Sequence, residues 1–143
     1  MDRLDERILL HLVRNARATF AEIGGEVGLS APAVKRRVDR LLADETINGF
    51  TTIVDPAALG WGTEAYVQIY CKGTISPELL RSIWEPIPEV VSASTVTGSP
   101  DAILKVRARD VRHLEEALER IRGDDSIDHT ESIIVLSRLV ERG

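Results

Sequence analysis

The sequence has a single cysteine and no long apolar stretch. Cys71 stands alone in a chain of 143 residues, so neither an intrachain disulfide nor a CxxC metal site can form. No apolar run approaches the roughly 18 residues that a membrane-spanning helix needs, and residues 1–6 lack the apolar segment of a secretory signal peptide. We therefore expect a cytoplasmic protein that has no membrane partner.

Aromatic residues and histidines are also scarce. Phe, Trp and Tyr together make up 4% of the chain, and its three histidines, His11, His113 and His129, are far apart. There is no HExxH motif and no cysteine beside any of them, so neither a zinc site nor a catalytic triad is indicated. We expect no cofactor, and we expect each histidine to be a partly exposed helix or loop residue.

Positive charge is scarce overall but concentrated at one place. The net charge is -5, with 8 Lys/Arg against 9 Asp/Glu in residues 1–60 and 10 against 14 in residues 61–143. Neither half is basic, which at first argues against a partner made of phosphates. Yet four cations fall within six positions opposed only by Asp39, namely Lys35, Arg36, Arg37 and Arg40. Such a cationic spot on an acidic body would orient DNA toward itself.

The cationic spot lies on the last of three predicted helices. Leu4, Ile8, Leu9 and Leu12 recur at helical spacing and predict a first helix over about 4–15. Thr19 and Glu22 form a predicted capping box at the start of a second helix that ends near Val27. Gly28 supplies the turn, and Ser30 caps a third helix that reaches about Ala43. Two short helices around a glycine turn predict a helix-turn-helix.

Two glycines inside the second helix require an explanation, since each costs up to about 1 kcal/mol relative to alanine. Gly24 is expected to face the third helix and to let the two helices approach closely. The sequence offers no comparable reason for Gly25.

The third helix has the pattern of a recognition helix. Val34, Val38 and Leu41 share one side and are expected to be buried. The other side carries small residues and arginine toward the N-terminal half, which suits insertion in a major groove. Arg36 and Arg40 are the candidates for groove contacts, Lys35 for a phosphate, and Arg37 for a partly structural role. The predicted DNA-binding residues are Ser30, Pro32, Lys35, Arg36, Arg37 and Arg40. A solvated basic face, or a module that docks a protein, are the alternatives.

The remainder of the chain alternates between β-prone and helical segments, so the fold class is α+β. Residues 47–54 predict a turn and a strand that leaves the helical module, in a winged-helix-like arrangement. We place the first domain at 1–48, a strand and linker at 49–62, and a second domain at 63–143. The order β-α-β-β-α-β predicts a ferredoxin-like second domain. Its strands are expected at 65–71, 90–97, 102–106 and 133–136, and its first helix from Ser76 to about Trp84. Asp110 is expected to cap the second helix, whose buried face would carry Val111, Leu114, Ala117, Leu118 and Ile121.

A four-stranded sheet with both helices on one side leaves its other face uncovered. Pairing with a second subunit would cover that face and would also supply two recognition helices for neighbouring half-sites. We therefore expect a homodimer.

Across nearly its whole length the sequence resembles the Lrp/AsnC family, the "feast or famine" regulators of bacteria and archaea. The N-terminal marks are Leu4-Asp5, Ile8-Leu9, Gly28-Leu29-Ser30, Val34, Arg36-Arg37-Val38, Arg40-Leu41, Ile47 and Gly49-Phe50. The C-terminal marks are Pro88-Glu89-Val90, Val96-Thr97-Gly98, Asp101, Thr130 and Ile133-Ile134-Val135-Leu136.

This resemblance implies a sequence-specific regulator that binds double-stranded DNA, forms dimers that often build octamers, and responds to an amino acid or related metabolite in clefts between regulatory domains. The effector residues that it implies are Gly98, Ser99, Pro100, Asp101, Thr130 and Ser132. Gly98 leaves backbone amides open to a carboxylate, Asp101 would pair with an ammonium, and the hydroxyls donate or accept. An ordinary hairpin turn at 98–101 and plain cross-strand hydroxyls at Thr130 and Ser132 remain the alternatives.

Two other functions fit the same architecture. Siroheme decarboxylases resemble it, but such an enzyme needs a tetrapyrrole pocket with aromatic and basic strand segments that this sequence lacks. A regulator that uses its second domain only for assembly, without an effector, is the other alternative. We favour the effector-controlled regulator and expect no enzyme activity.

Overall fold

The structure is a computed structural model that describes residues 1–142; Gly143, the last residue of the predicted second domain, lies outside the described residues. The chain divides into two compact units, residues 1–53 and residues 54–142. The division falls within the predicted linker, 49–62. Among the described residues, no helix combines the length and the apolar character needed to cross a bilayer.

The first unit consists of three helices, α1 (Arg3–Arg14), α2 (Phe20–Val27) and α3 (Ala31–Ala43). Thr19 and Glu22 form the predicted capping box, each side chain accepting the other residue's backbone N–H at 3.1 Å. Ser30 caps α3, and Gly28 adopts the left-handed conformation at φ 78°. The helix-turn-helix is therefore confirmed, around a core that contains Ile8, Leu12, Ile23, Val27, Val34 and Val38.

Gly24 permits a close approach, although its neighbour is not the one expected. A Cβ at Gly24 would lie 2.3 Å from the carbonyl oxygen of Leu29. The backbone of the turn, rather than helix α3, therefore excludes a side chain here. At Gly25 a Cβ would meet nothing within 4 Å.

The strand expected at residues 47–54 is wrong, because the chain from 44 to 62 contains no strand. Its β-prone side chains remain exposed, Phe50 by 53% and Ile53 by 70%. A strand needs a partner for its backbone hydrogen bonds, and this segment has none within the described chain. A short 3-10 turn, Pro56–Leu59, follows.

The second unit is a four-stranded antiparallel sheet with two helices, and it confirms the ferredoxin-like order β-α-β-β-α-β. Its elements are β1 (Thr63–Cys71), α4 (Pro77–Trp84), β2 (Val90–Thr95), β3 (Ala102–Ala108), α5 (Val111–Ile121) and β4 (Ile127–Ile134). The spatial order is β2-β3-β1-β4, so β2 and β4 form the two edges.

Two details of the second unit differ from expectation. Strand β4 begins at Ile127 and ends at Ile134, instead of covering 133–136. Residues 128–132 are all polar, because most side chains of this edge strand are exposed, so the apolar run marked only the end of the strand. Val111, expected on the buried face of α5, is 60% exposed, because it occupies the first turn beyond the reach of the sheet.

Helices α4 and α5 cover one face of the sheet. Ala65, Val67 and Ile69 of β1 and Leu104 of β3 point into a single core with both helices. Trp84 is buried there, and its indole Nε1–H donates to the carbonyl of Ile121 at 3.3 Å. The opposite face carries alternate residues of the same strands, including Tyr66, which is 41% exposed, and Ile133, which is 55% exposed. That face, the open face, has no helix of residues 54–142 over it.

A buried polar cluster corrects the expectation for His113. This side chain is buried, and its Nδ1 accepts the backbone N–H of Arg109 at 3.0 Å. Nε2 must therefore carry the proton that is donated to Glu89 Oε1 at 2.9 Å. Arg120 donates to the same oxygen. Burial acts to raise the pKa of Glu89, but His113 and Arg120 outweigh it and lower the pKa.

A second buried carboxylate, Glu64, lies on the open face. Arg107 Nε lies 3.0 Å and Arg138 3.1 Å from Glu64 Oε2, and Lys105 Nζ lies 3.6 Å from Oε1. Burial acts to raise the pKa of Glu64, and the surrounding cations lower it further than burial raises it. Arg138 belongs to the extended segment 135–142, so this ion pair draws that segment toward the edge of the open face.

Candidate DNA-binding surface and effector loop

Helix α3 presents its polar side to solvent. Val34, Val38 and Leu41 are buried, as the helical pattern predicted. The predicted DNA-binding residues Ser30, Pro32, Lys35, Arg36 and Arg40 are exposed, whereas Arg37 is half-buried. The exposed set lies at the N-terminal end and along one side of the helix.

The guanidinium of Arg37 binds two carboxylates within the first unit. Its NH1 nitrogen lies 2.6 Å from Asp2 Oδ2 and 3.0 Å from Asp5 Oδ1. Its side chain is 24% exposed. Arg37 thus ties α3 to the start of α1.

The other three cations of α3 differ in how free they are. Arg40 donates through NH2 to Asp5 Oδ2 at 2.7 Å, yet its side chain remains 56% exposed. Lys35 pairs with Asp39 one turn away, with both side chains more than half exposed. Arg36 makes no ion pair or side-chain hydrogen bond within residues 1–142. Because exposed pairs of the Lys35 type contribute little, Lys35 and Arg36 are the cations most readily available to a phosphate.

The sequence pattern did not reveal the structural role of Asp2 and Asp5. Asp2 caps α1, and each of the two side chains accepts the other residue's backbone N–H, at 2.9 and 3.0 Å. Hydrogen bonding by Arg37 lowers the pKa of Asp2 to about 2. The hydrogen bond from the Asp2 backbone and that from Arg37 also lower the pKa of Asp5 against the effect of burial. An acidic residue three positions after an Asp is the signal that could have identified this capping box.

The predicted effector loop is a tight connection between β2 and β3. Gly98 has φ 104°, which favours glycine, and it is exposed together with Ser99, while Pro100 is half-buried. Asp101 Oδ2 accepts the backbone N–H of Cys71 at 2.7 Å, and the Asp101 N–H donates to the carbonyl of Ile69 at 2.8 Å. One carboxylate oxygen of Asp101 thus caps the end of β1, and the other makes no hydrogen bond within the described chain.

Thr130 lies on the other side of β1 from this loop. It is opposite Ile69 in the sheet, and Ser132 is opposite Val67. A small molecule that touches both the loop and Thr130 must therefore cross β1, a distance of about two strand spacings, or roughly 10 Å. Two cavities of about 560 and 660 Å³ are lined by other residues, one between α4 and β2 and one beside the segment 135–142. Residues 1–142 contain no group of His, Cys, Asp and Glu suited to a metal.

Known proteins match both units. Residues 1–42 match the AsnC-type helix-turn-helix domain, and residues 64–143 match the Lrp/AsnC ligand binding domain. The HTH-type transcriptional regulator Rv2324 of Mycobacterium tuberculosis is 64% identical over 145 residues, which cover 99% of this chain and 98% of that protein. The HTH-type transcriptional regulator LrpA of the same organism is 33% identical and covers 96% of this chain and 91% of its own.

Solved structures agree along the whole chain. AsnC of E. coli has a TM-score of 0.87 at 29% identity and covers 100% of this chain and 97% of its own. The feast or famine regulatory protein of M. tuberculosis, solved in complex with L-methionine, has a TM-score of 0.90 at 32% identity and covers 98% and 95%. Both M. tuberculosis relatives, Rv2324 and LrpA, are named as transcriptional regulators and not as enzymes. The resemblance drawn from the sequence is confirmed, and the chain belongs to the Lrp/AsnC family of transcriptional regulators.

Proposed function

We propose that this regulator reads double-stranded DNA with helix α3, and that an amino acid or related metabolite at the β2–β3 loop modulates its assembly or its operator binding. The observation that carries the DNA proposal is an exposed arginine of α3 that has no ion-pair partner. Arg36 has no carboxylate partner among the described residues, at an exposed position in the N-terminal half of the helix. A free guanidinium at that place suits a base edge in the major groove.

The remaining residues divide by their contacts. Ser30 and Pro32 lie at the N-terminal end of α3 and would approach the DNA backbone together with Lys35. Arg40 has N–H groups left over after its bond to Asp5 and joins Arg36 on the DNA side. Arg37 acts from within the protein, because its hydrogen bonds go to Asp2 and Asp5.

The test compares Arg36→Ala with Arg112→Ala. Arg112 is an exposed residue of α5 without an ion pair in the described chain, so its replacement changes the net charge equally. The DNA probe is a fragment that the wild-type protein selects from a random pool. We expect Arg36→Ala to weaken binding by about 1–3 kcal/mol and Arg112→Ala to leave it unchanged. Equal affinities for both variants would remove Arg36 from the DNA surface.

Support for an effector comes from the ligand-binding domain match and from the relative solved with L-methionine. In this chain the exposed Gly98 and Ser99 offer backbone amides, and Thr130 offers a hydroxyl across β1. The test is a calorimetric titration of each amino acid into the wild-type protein, into Thr130→Val, and into Thr74→Val as a control outside the loop. A heat of binding lost only in Thr130→Val supports the site. No binding by the wild-type protein to any amino acid would favour a domain used for assembly alone.

The open face supports the remaining part of the proposal, a homodimer that can build an octamer as a tetramer of dimers. Tyr66, Ile103 and Ile133 lie on that face, which no helix of residues 54–142 covers. Burying such apolar area contributes about 25 cal/mol per Å², which favours a second copy there. A cytoplasmic location belongs to the same proposal, since DNA is the partner.

A further inference from the structure

The carboxylate of Asp5 lies at the centre of an ion network between α1 and α3. Its side chain is 1% exposed. Oδ1 accepts from Arg37, and Oδ2 accepts both from Arg40 and from the Asp2 backbone N–H. Asp2 adds a second carboxylate on Arg37. Two acids and two arginines therefore cancel in charge directly beside the proposed DNA surface.

The network treats the two arginines differently. Arg37 uses one nitrogen to bridge both carboxylates and is largely covered. Arg40 is bound by a single nitrogen, NH2, and keeps more than half of its side chain in solvent. Its Nε and NH1 groups make no hydrogen bond within residues 1–142 and remain free to donate.

We propose that Asp5, assisted by Asp2, is a positioning residue for DNA recognition: it withdraws Arg37 from the DNA and fixes the Arg40 guanidinium with its free N–H groups toward a phosphate or base edge. This inference rests on the proposed function of α3. A side chain fixed before binding loses less conformational entropy on forming its contact. The same carboxylate removes positive charge that would otherwise attract any DNA sequence.

The consequence is a larger difference between the affinity for the recognised DNA sequence and the affinity for other DNA, although the total affinity for DNA is lower. Released arginines would strengthen binding to all DNA through phosphate contacts, which carry no sequence information. Arg40 held by Asp5 contacts DNA only in the register that α3 imposes. Specificity is the difference between the two affinities, so loss of Asp5 lowers it even when total affinity rises.

The experiment compares Asp5→Asn with Asp39→Asn in the full chain. Each raises the net charge by one and removes an ionic partner of α3. Asp5 binds both Arg37 and Arg40, whereas Asp39 pairs only with the exposed Lys35. The probes are the fragment selected by the wild-type protein and a scrambled fragment of equal length, at several salt concentrations. We expect both variants to bind the scrambled DNA more tightly, with a salt slope steeper by about one. Only Asp5→Asn should lose discrimination, by about tenfold or more.

The outcomes distinguish the positioning role of Asp5 from DNA recognition by α3. Equal discrimination in Asp5→Asn and Asp39→Asn overturns the positioning role and leaves DNA recognition by α3 intact. A wild-type protein that selects no fragment overturns the proposed function and this inference with it. Should Asp5→Asn not fold, as judged by circular dichroism, Asp2→Asn serves instead. Asparagine keeps the N-cap, so that variant removes only the outer Arg37 contact, and a smaller loss of discrimination is expected.

Discussion

Neighbouring glycines of α2 experience opposite surroundings at the residue scale. Gly24 lies against the carbonyl oxygen of Leu29, whereas Gly25 faces open space on the exposed side of the helix. Helix propensity alone treats both as equally unfavourable. Only the path of the turn after Gly28 distinguishes them, and that path depends on how α3 packs.

Alanine at each of these positions should therefore shift stability in opposite directions. Gly25→Ala is expected to stabilise the protein by up to about 1 kcal/mol, because it removes backbone freedom from the unfolded chain. Gly24→Ala should destabilise it, since the new methyl group would lie 2.3 Å from a carbonyl oxygen. Urea unfolding followed by circular dichroism measures both. Equal shifts in the two variants would contradict the close approach at Gly24.

Acid pH should weaken the attachment of α3 to α1. The folded pKa of Asp2 is about 2, below its value of about 3.9 in an unfolded chain. A lowered folded pKa means that the stabilisation is fully present above about pH 4 and is lost as the pH falls toward about 2. Asp2→Asn should therefore be less stable than the wild-type protein at pH 6, and the difference should shrink in this acid range. A difference independent of pH would exclude the ionised carboxylate as its cause.

At the scale of single elements, the loop between β2 and β3 closes the end of the sheet. Asp101 joins it to β1 through the Cys71 and Ile69 backbones. The family resemblance implied that Asp101 belongs to an effector site, where its carboxylate would pair with an ammonium. Its hydrogen bond to the Cys71 backbone depends on the register in which β1 and β3 pair, which the sequence does not show.

Asp101→Ala is accordingly expected to lower the free energy of unfolding by about 1 kcal/mol or somewhat more, because the Cys71 amide loses its charged acceptor. Ser99→Ala in the same loop makes no such contact and should be neutral. Calorimetric melting of both variants without any ligand is the measurement. An unaltered melting temperature in Asp101→Ala would show that the side chain does not stabilise the fold, and would leave ligand binding as its role.

How well each element was predicted depends on where its determining contacts lie. The caps at Thr19 and Ser30 act within three residues, so helices α2 and α3 were correctly bounded. Whether a segment becomes a strand depends on pairing with distant parts of the chain. The expected bounds of β4 were therefore wrong, and the strand expected at 47–54 does not form. The Asp2 and Asp5 contacts to Arg37 span more than thirty residues, which is why the cationic spot was identified but not its internal pairing.

At the scale of the whole molecule, the open face is the feature that a partner copy would cover. Ile133→Asp places a charge on that face, and Leu79→Asp places one on α4, where Leu79 is 43% exposed. We expect sedimentation velocity to show a dimer for the wild-type protein and for Leu79→Asp, and a monomer for Ile133→Asp, because a buried unpaired charge is costly. A dimeric Ile133→Asp would place the interface elsewhere.

The location of the aromatic side chains has a practical consequence. Both tryptophans and both tyrosines, Trp61, Trp84, Tyr66 and Tyr70, belong to residues 54–142, whereas the aromatic residues of 1–53 are Phe20 and Phe50. Intrinsic tryptophan emission therefore reports on the sheet-containing unit, while far-ultraviolet dichroism follows the helices of both units. Heating one unlabelled sample under both detectors would show whether the two units melt as one. If the two units melt independently, added DNA would raise the melting temperature seen by dichroism and leave the one seen by tryptophan emission unchanged.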